Sequence, residues 1–164
     1  MKHTSLVISA TLAVIIVFQS CRNDKSDISA DEILYNESTA DGYTYYMAGS
    51  ILSPAAPSPH GSFKLRFNAT AMEALNSGTG ELPMGSSFPK GSIIVKDVYT
   101  NGSLSLYAVM KKDPSNSNAG SGWLWAEYKT NGVPILSTGN KGDGCINCHS
   151  GSPNRDLTRT FDLH

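Results

Sequence analysis

One short motif constrains this chain more than any other feature: two cysteines three positions apart, followed at once by a histidine, in Cys145-Ile146-Asn147-Cys148-His149. This spacing is the attachment pattern of c-type haem. Each thiol can bond to one vinyl group of the porphyrin, and the two residues between them let a single turn reach both vinyls. His149 then lies under the iron as an axial ligand. The motif therefore predicts one haem c, attached through Cys145 and Cys148, with His149 as the metal ligand.

Three other uses of the two cysteines fit the sequence less well. A thioredoxin-like redox pair expects a βαβ context and does not require the histidine. A zinc site needs a second pair of ligands, and the remaining histidines are scattered along the chain at His3, His60 and His164. A disulfide between cysteines three positions apart would close a very small loop and stabilise little. Haem attachment is the preferred interpretation.

The first 20 residues have the pattern of an export signal. Lys2 supplies a positive charge, and residues 6–18 form an apolar run that is short for a membrane span. A serine then precedes Cys21, which resembles a lipoprotein signal in which that cysteine is acylated. Since haem attachment of this kind requires export, we expect a periplasmic, membrane-anchored lipoprotein with a signal peptide over 1–20 and a tether over 21–40. An unmodified Cys21 beyond an ordinary cleavage site is the alternative.

Strand and turn signals dominate the rest of the sequence. It has 15 glycines and 8 prolines among 164 residues, many of them beside serine or asparagine. Asn101-Gly102 between two β-rich runs is a strong hairpin signal. Strands are predicted at four runs: 63–68, 92–99, 104–111 and 123–128. The predicted fold is mainly β (α+β), an antiparallel sheet with a few short helices and a c-type haem attached near the C-terminus.

Short helices are expected at two capping boxes, in which a serine or threonine precedes a glutamate by three positions. The first is Ser29 with Glu32, and the second is Thr70 with Glu73. Between them, several prolines predict an extended loop that leaves His60 in solvent. The net charge is −1 and no basic block occurs, so a nucleic acid partner is not expected.

After His149 the sequence offers no evident second axial ligand. Met47, Met72, Met84 and Met110 all precede the motif, and each is better explained as a filler of core gaps. We therefore expect an open iron coordination position that binds or converts a small molecule. A six-coordinate electron-transfer protein, in which Met110 or Met84 occupies the iron, is the alternative. A haem-bearing interaction module without chemistry is a third interpretation.

Lys96 lies in the predicted strand 92–99 on the same face as Ile94 and Val98. A lysine among apolar neighbours usually extends along a sheet margin to water. The sharper alternative is that its amine lies at the haem edge, where burial would lower its pKa and expose a nucleophilic nitrogen. The pattern by itself favours the first interpretation.

From about Ser62 onward, the chain resembles the cytochrome P-460 family, which also contains the cytochromes c-prime-beta. The resemblance rests on four blocks in a fixed order, at 88–97, 106–113, 122–125 and 145–149, followed by Asp156 and Phe161. It implies a P-460-like haem domain over 41–164, a mostly antiparallel β fold and one five-coordinate c-type haem per chain. It also implies a homodimer, which an open strand edge makes plausible.

The resemblance implies a chemistry as well. In the cytochromes P-460 proper, a lysine at the position of Lys96 is covalently bonded to the haem, and the enzymes oxidise hydroxylamine. Those members carry a glutamate above the iron on the strand after the hairpin, where this chain has Tyr107 or Ala108. Without a positioned base, the rate of hydroxylamine oxidation would fall by about 10²–10⁴-fold, because protons must leave together with the electrons. We expect a protein that binds or converts nitric oxide or hydroxylamine and exchanges electrons with a redox partner. Whether it is an oxidoreductase or a gas-binding protein stays open.

Overall fold

The computed structural model describes residues 28–54, 58–151 and 155–162. The predicted signal peptide over 1–20 and the predicted lipidation site Cys21 lie outside these residues, as do His3 and His164. No helix within the described ranges is long and apolar enough to cross a membrane.

Within the described residues, six strands form one sheet in sequence order, and every neighbouring pair is antiparallel. The predicted fold class, mainly β with a few short helices, is therefore confirmed. The strands are β1 (Thr44–Tyr45), β2 (Ser62–Phe67), β3 (Ile93–Thr100), β4 (Ser103–Lys112), β5 (Trp123–Lys129) and β6 (Pro134–Leu136). The helices are α1 (Ala30–Thr39), α2 (Ala69–Met72) and α3 (Ile146–His149), with 3₁₀ turns at Tyr46–Gly49 and Thr138–Asn140.

The hairpin between β3 and β4 forms where Asn101-Gly102 predicted it. Both turn residues have positive φ, 52° at Asn101 and 78° at Gly102. A tight turn of this kind matches the right-handed twist of two antiparallel strands, and asparagine and glycine tolerate the left-handed backbone that it needs. This turn fixes the register of the two central strands.

Alternation along the strands gives the sheet two buried faces. One face packs against Leu34 of α1 through Val95, Val109 and Tyr128. The other face carries the larger cluster, whose members include Phe63, Leu65, Phe67, Ile94, Met110, Trp123, Trp125 and Phe161. Neighbouring residues of one strand, such as Lys96 and Asp97, therefore belong to different faces.

The helix α1 belongs to the folded domain, although its residues fall within the predicted tether 21–40. It begins as predicted, because the Ser29 hydroxyl accepts a hydrogen bond from the Glu32 amide at 3.1 Å. Leu34 is 1% exposed, and the Asp31 carboxylate accepts from the Thr138 amide at 2.8 Å. The polar composition of this segment reflects the outer surface of an amphipathic helix, so the tether assignment is corrected for residues 30–39.

Two further expectations are corrected by contacts distant in sequence. The cap of α2 is Asn68, not Thr70, because the Asn68 side chain accepts from both the Ala71 amide and the Ile93 amide. The last of the four predicted strands ends at 128, but Pro134–Leu136 forms a further strand at the edge of the sheet against β5.

Candidate haem site

An open cavity of about 420 Å³ lies on the face of the sheet opposite α1. The sheet supplies one wall, and the segment around α3 together with residues 158–160 supplies another. The apolar residues of its lining include Phe63, Leu65, Ile94, Met110, Trp125 and Leu136. A concave, mostly apolar cavity of this size with a few polar side chains is typical of a cofactor site.

The helix α3 carries the cysteine and histidine motif on a single turn. The His149 amide donates to the Cys145 carbonyl at 3.1 Å. Residues three apart on a helix lie on one side of it, so Cys145 and Cys148 come together. Both cysteines are free thiols that line the cavity, Cys145 half-buried and Cys148 exposed.

Gly142 allows the chain to enter α3 against the sheet. Its φ is +75°, and a Cβ at this position would lie 2.5 Å from Cδ1 of Trp125. Only glycine combines this backbone conformation with so close an approach. The Trp125 ring also packs edge-on against the His149 ring, with centroids 4.9 Å apart, so β5 supports the histidine directly.

The His149 ring is held in one tautomer. Its Nδ1 lies 2.7 Å from the Leu157 carbonyl oxygen, and because a carbonyl can only accept, Nδ1 must carry the proton. The other ring nitrogen, Nε2, then keeps its lone pair for a metal. Burial lowers the pKa of His149 below its ordinary value, which favours the neutral imidazole that a metal ligand requires.

These residues fit a covalently attached haem c. Two free thiols lie on one helical turn beside a half-buried, neutral imidazole whose Nε2 is unprotonated. All three side chains line an apolar cavity of suitable size. The arrangement offers what the attachment chemistry needs: two thiols and one axial nitrogen.

Three residues form a row across the sheet in this cavity. Lys96 pairs with Ala108, and Ala108 pairs with Glu127. Neighbouring strands are about 4.8 Å apart, so the backbones of Lys96 and Glu127 are about 10 Å apart. All three line the cavity, and the small methyl group of Ala108 leaves space between the two longer side chains.

Lys96 is half-buried, and it lines the cavity. Its Nζ is 4.4 Å from the centre of the Phe63 ring, and burial lowers its pKa from 10.5 to about 8. β3 is flanked by β2 and β4, so the interpretation of Lys96 as a residue at a sheet margin is corrected. The alternative interpretation, an amine beside the cofactor cavity, agrees with this position.

Glu127 is the site residue that the sequence analysis missed. Its side chain is 24% exposed and its Oε1 lies 3.7 Å from Nδ1 of His60. Burial raises its pKa above the ordinary value of a glutamate. The sequence analysis looked for a carboxylate only on β4, at Tyr107 and Ala108, and expected none near the site. That expectation is corrected, because Glu127 on β5 lines the cavity. The sequence did contain a signal for Glu127. Residues two apart on a strand share a face, so Glu127 lies on the same face of β5 as Trp123 and Trp125.

His60 lines the same cavity, which corrects the expectation of a solvated histidine. Its side chain is 15% exposed. Burial, together with the positive charge of Lys96, lowers its pKa from 6.5 to about 4. His60 is therefore neutral at pH 7, and its approach to Glu127 is a polar contact, not an ion pair.

Tyr107 lies on the other face of the sheet, which corrects its selection as a cavity residue. Its ring packs 6.3 Å from the ring of Tyr35 and 5.7 Å from the Arg66 guanidinium. Arg66 in turn donates to the buried Asp97 carboxylate. Side chains alternate along β4, so Ala108 takes the cavity position and Tyr107 joins the network beneath α1.

Among the methionines in the described part of the chain, Met110 lines the cavity, whereas Met84 is 68% exposed. Met110 is also packed into the core cluster, where it is 8% exposed. In the electron-transfer alternative, Met110 therefore remains the candidate iron ligand, whereas Met84 is not part of the cavity lining.

The fold and the site together define a class: an antiparallel β protein with a c-type haem motif beside an apolar cavity. The sequence model of the family described as Cytochrome P460 matches residues 45–160, which is more than half of the chain. This protein belongs to the cytochrome P460 family, so it is a mono-haem c-type cytochrome with a haem c cofactor. No curated protein matches the sequence.

Proposed function

We propose that this cytochrome binds or converts small nitrogen oxides, nitric oxide or hydroxylamine, at an open iron position. Cys145 and Cys148 would form the two thioether bonds, and His149 would bind the iron through Nε2. When bound, the haem supplies a redox-active iron that exchanges electrons with a small ligand. The observation that carries the proposal is the row formed by Lys96, Ala108 and Glu127.

Ala108 makes room for the ligand in this proposal. It lies between two longer side chains on the cavity face. A larger side chain there would fill the space in which a two-atom or three-atom ligand would bind. The surrounding apolar wall excludes water, which strengthens the polar interactions that remain.

Glu127 is proposed as the proton acceptor. Oxidation of hydroxylamine releases protons together with electrons, so a positioned base is worth about 10²–10⁴-fold in such a step. Burial raises the pKa of Glu127, which brings this carboxylate nearer to the pKa at which a base works well at neutral pH. The neutral His60, 3.7 Å away, could pass a proton onward to solvent.

Lys96 is proposed as the residue that cross-links to the haem. Its amine nitrogen would replace one hydrogen at the porphyrin edge, and the two electrons and two protons released would pass to an oxidant such as a peroxide. Lys96 is half-buried in the cavity lining, and the lowered pKa of about 8 increases the fraction of neutral, nucleophilic amine. Mass spectrometry of a digest of the holoprotein tests this. In the natural chain, we expect the peptide that contains Lys96 to carry the haem mass. In K96M, the corresponding peptide should be recovered free of haem. Recovery of that peptide free of haem from the natural chain would remove the cross-link from the proposal.

Absorption spectra of the holoprotein test the open iron position. We expect a five-coordinate, high-spin ferric spectrum and a shift of the Soret band when nitric oxide is added to the ferrous form. A low-spin, six-coordinate iron without added ligand would contradict the proposal. It would favour the electron-transfer alternative.

That alternative rests on Met110, whose side chain lines the cavity. It predicts a methionine-to-iron charge-transfer band in the ferric protein and no reaction with nitric oxide. M110L separates the two functions. Under the electron-transfer hypothesis it abolishes the band and opens the iron, whereas under the leading proposal it leaves the coordination unchanged.

We also propose export and a lipid anchor at Cys21, in the periplasm. The support is the apolar run before Cys21 and the haem c cofactor, whose attachment requires an exported chain. In cell fractionation, C21S should move the holoprotein from the membrane to the soluble fraction. Retention of C21S in the membrane would contradict the anchor. Sedimentation of the soluble form would test the expected homodimer.

A further inference from the structure

The carbonyl that holds His149 belongs to an unusual corner of the chain. Asp156 has φ 52° and Leu157 has φ 67°, so two successive residues with side chains take the left-handed conformation. Such a conformation is rare outside glycine and persists only where the surroundings hold it in place. It is this corner that directs the Leu157 carbonyl towards Nδ1 of His149 at 2.7 Å.

The Asp156 carboxylate fixes the corner to the sheet. It accepts hydrogen bonds from Nζ of Lys112 at 2.6 and 2.8 Å, from the Phe88 amide at 2.9 Å and from Nε1 of Trp123 at 3.4 Å. The ion pair with Lys112 is largely removed from solvent, with side chains 14% and 10% exposed. Nζ of Lys112 also lies 4.9 Å from the centre of the Trp123 ring. The anchor therefore spans the ends of β4 and β5.

We propose that Asp156 is a positioning residue for the iron ligand His149, acting through the Leu157 carbonyl. The inference rests on the proposed ligation of iron by His149. A hydrogen bond from Nδ1–H to a carbonyl orients the imidazole and makes Nε2 a stronger donor. A stronger donor stabilises ferric iron, so the anchored corner lowers the reduction potential. Loosening the corner weakens the iron–histidine bond and raises the potential.

D156N tests the inference in the holoprotein. Asparagine tolerates the left-handed backbone and keeps the shape of the side chain, but it removes the charge that holds Lys112. We expect the iron–histidine stretching band of the ferrous protein, measured by resonance Raman, to shift to lower frequency. We expect the midpoint potential, measured by redox titration, to rise. K112M breaks the same ion pair from β4 and should shift both quantities in the same directions.

D162N is the matched control. Asp162 lies in the same segment and pairs with Nε of Arg155 at 3.1 Å. This variant loses an equivalent charge but leaves the contacts of Asp156 intact, and Arg155, whose carbonyl closes the corner, keeps its contacts with the Leu82 carbonyl and Glu81. The band and the potential should stay as in the natural chain. An equal shift in D162N would overturn the inference, because it would show that the loss of any nearby carboxylate charge shifts the band and the potential.

The outcomes separate this inference from the proposed function. If the natural ferrous holoprotein shows no iron–histidine band, the proposed five-coordinate iron with His149 as its one axial ligand fails. If it shows the band but D156N and K112M leave both band and potential unchanged, the positioning role alone is overturned, even where thermal stability falls. Should D156N attach no haem, K112M still decides, because Lys112 lies outside the haem segment.

Discussion

Glu127 on β5 lies directly across from Ala108 on β4, in register and on the cavity face of the sheet. According to the family resemblance, the hydroxylamine-oxidising members carry a glutamate on the strand after the hairpin, where this chain has Tyr107 or Ala108. In the folded protein, the next strand brings a carboxylate to the neighbouring position. A site that looks apolar along one strand therefore contains an acidic side chain contributed by another strand.

Removing the carboxylate of Glu127 should separate chemistry from binding. We expect E127Q to slow the oxidation of hydroxylamine by about 10²–10⁴-fold, because glutamine cannot accept the proton. The affinity for nitric oxide should change little, since the side chain keeps its size. Steady-state oxidation with an artificial electron acceptor measures the first quantity, and optical titration of the ferrous protein measures the second.

E37Q is the matched control for that experiment. Glu37 is a carboxylate on α1, paired with Nζ of Lys111 at 2.6 Å, on the opposite side of the sheet. It should leave the oxidation rate within the error of the natural chain. An E127Q rate equal to that of E37Q would show that Glu127 accepts no proton in the rate-limiting step.

Enlarging Ala108 should block the ligand without removing a polar group. A108L places three additional carbons between Lys96 and Glu127. Overfilling a packed site costs about 1–3 kcal/mol, which corresponds to about a 5- to 150-fold loss of affinity for nitric oxide. Optical titration and the haem content of the purified variant measure the effect. Unchanged affinity at full haem content would place the ligand elsewhere in the cavity.

The parts of the fold that could be predicted from sequence are those with local signals. The Asn101-Gly102 turn and the strict alternation of 63–68 depend on residues close together in the chain, and both predictions are confirmed. The haem motif is equally local, since its thiols and imidazole lie within five residues. Short-range sterics and spacing are sufficient in these cases.

The missed parts of the site depend on contacts between distant residues. His60 precedes β2, and Glu127 lies on β5. They come together although β2 and β5 are not neighbours in the sheet. The contact between His149 and Leu157 depends on a corner that Lys112 anchors from β4. Local propensity contains no information on which strands become neighbours, so these contacts could not be predicted.

The helix α1 should contribute to the stability of the domain. Leu34 is 1% exposed against the sheet, whereas the adjacent Ile33 is 47% exposed. We expect L34A to lower the free energy of unfolding by about 2–5 kcal/mol, because it leaves a cavity in the core. I33A is the matched control and should change it by less than about 0.5 kcal/mol. Denaturant unfolding measures both, and equal effects would mean that α1 does not pack as described.

The tyrosine Tyr43 should make the domain sensitive to alkali. Its hydroxyl donates to the Glu37 carbonyl at 2.9 Å, and burial, with a further contribution from Glu37 and an opposing one from Arg66, raises its pKa from 10.0 to about 12. Between these values, the folded chain keeps a proton that the unfolded chain has lost, so the free energy of unfolding falls as the pH rises from about 10 to about 12.

Y43F should remove that contribution of Tyr43. At pH 8 the variant should lose about 1 kcal/mol of stability, the typical net contribution of one hydrogen bond. Its free energy of unfolding should then fall less steeply above pH 10 than that of the natural chain, and the two curves should converge. Urea unfolding of both holoproteins at a series of pH values measures this difference. Parallel curves from pH 9 to pH 12 would contradict the raised pKa, because a tyrosine with an ordinary pKa contributes no difference in proton binding between the two states.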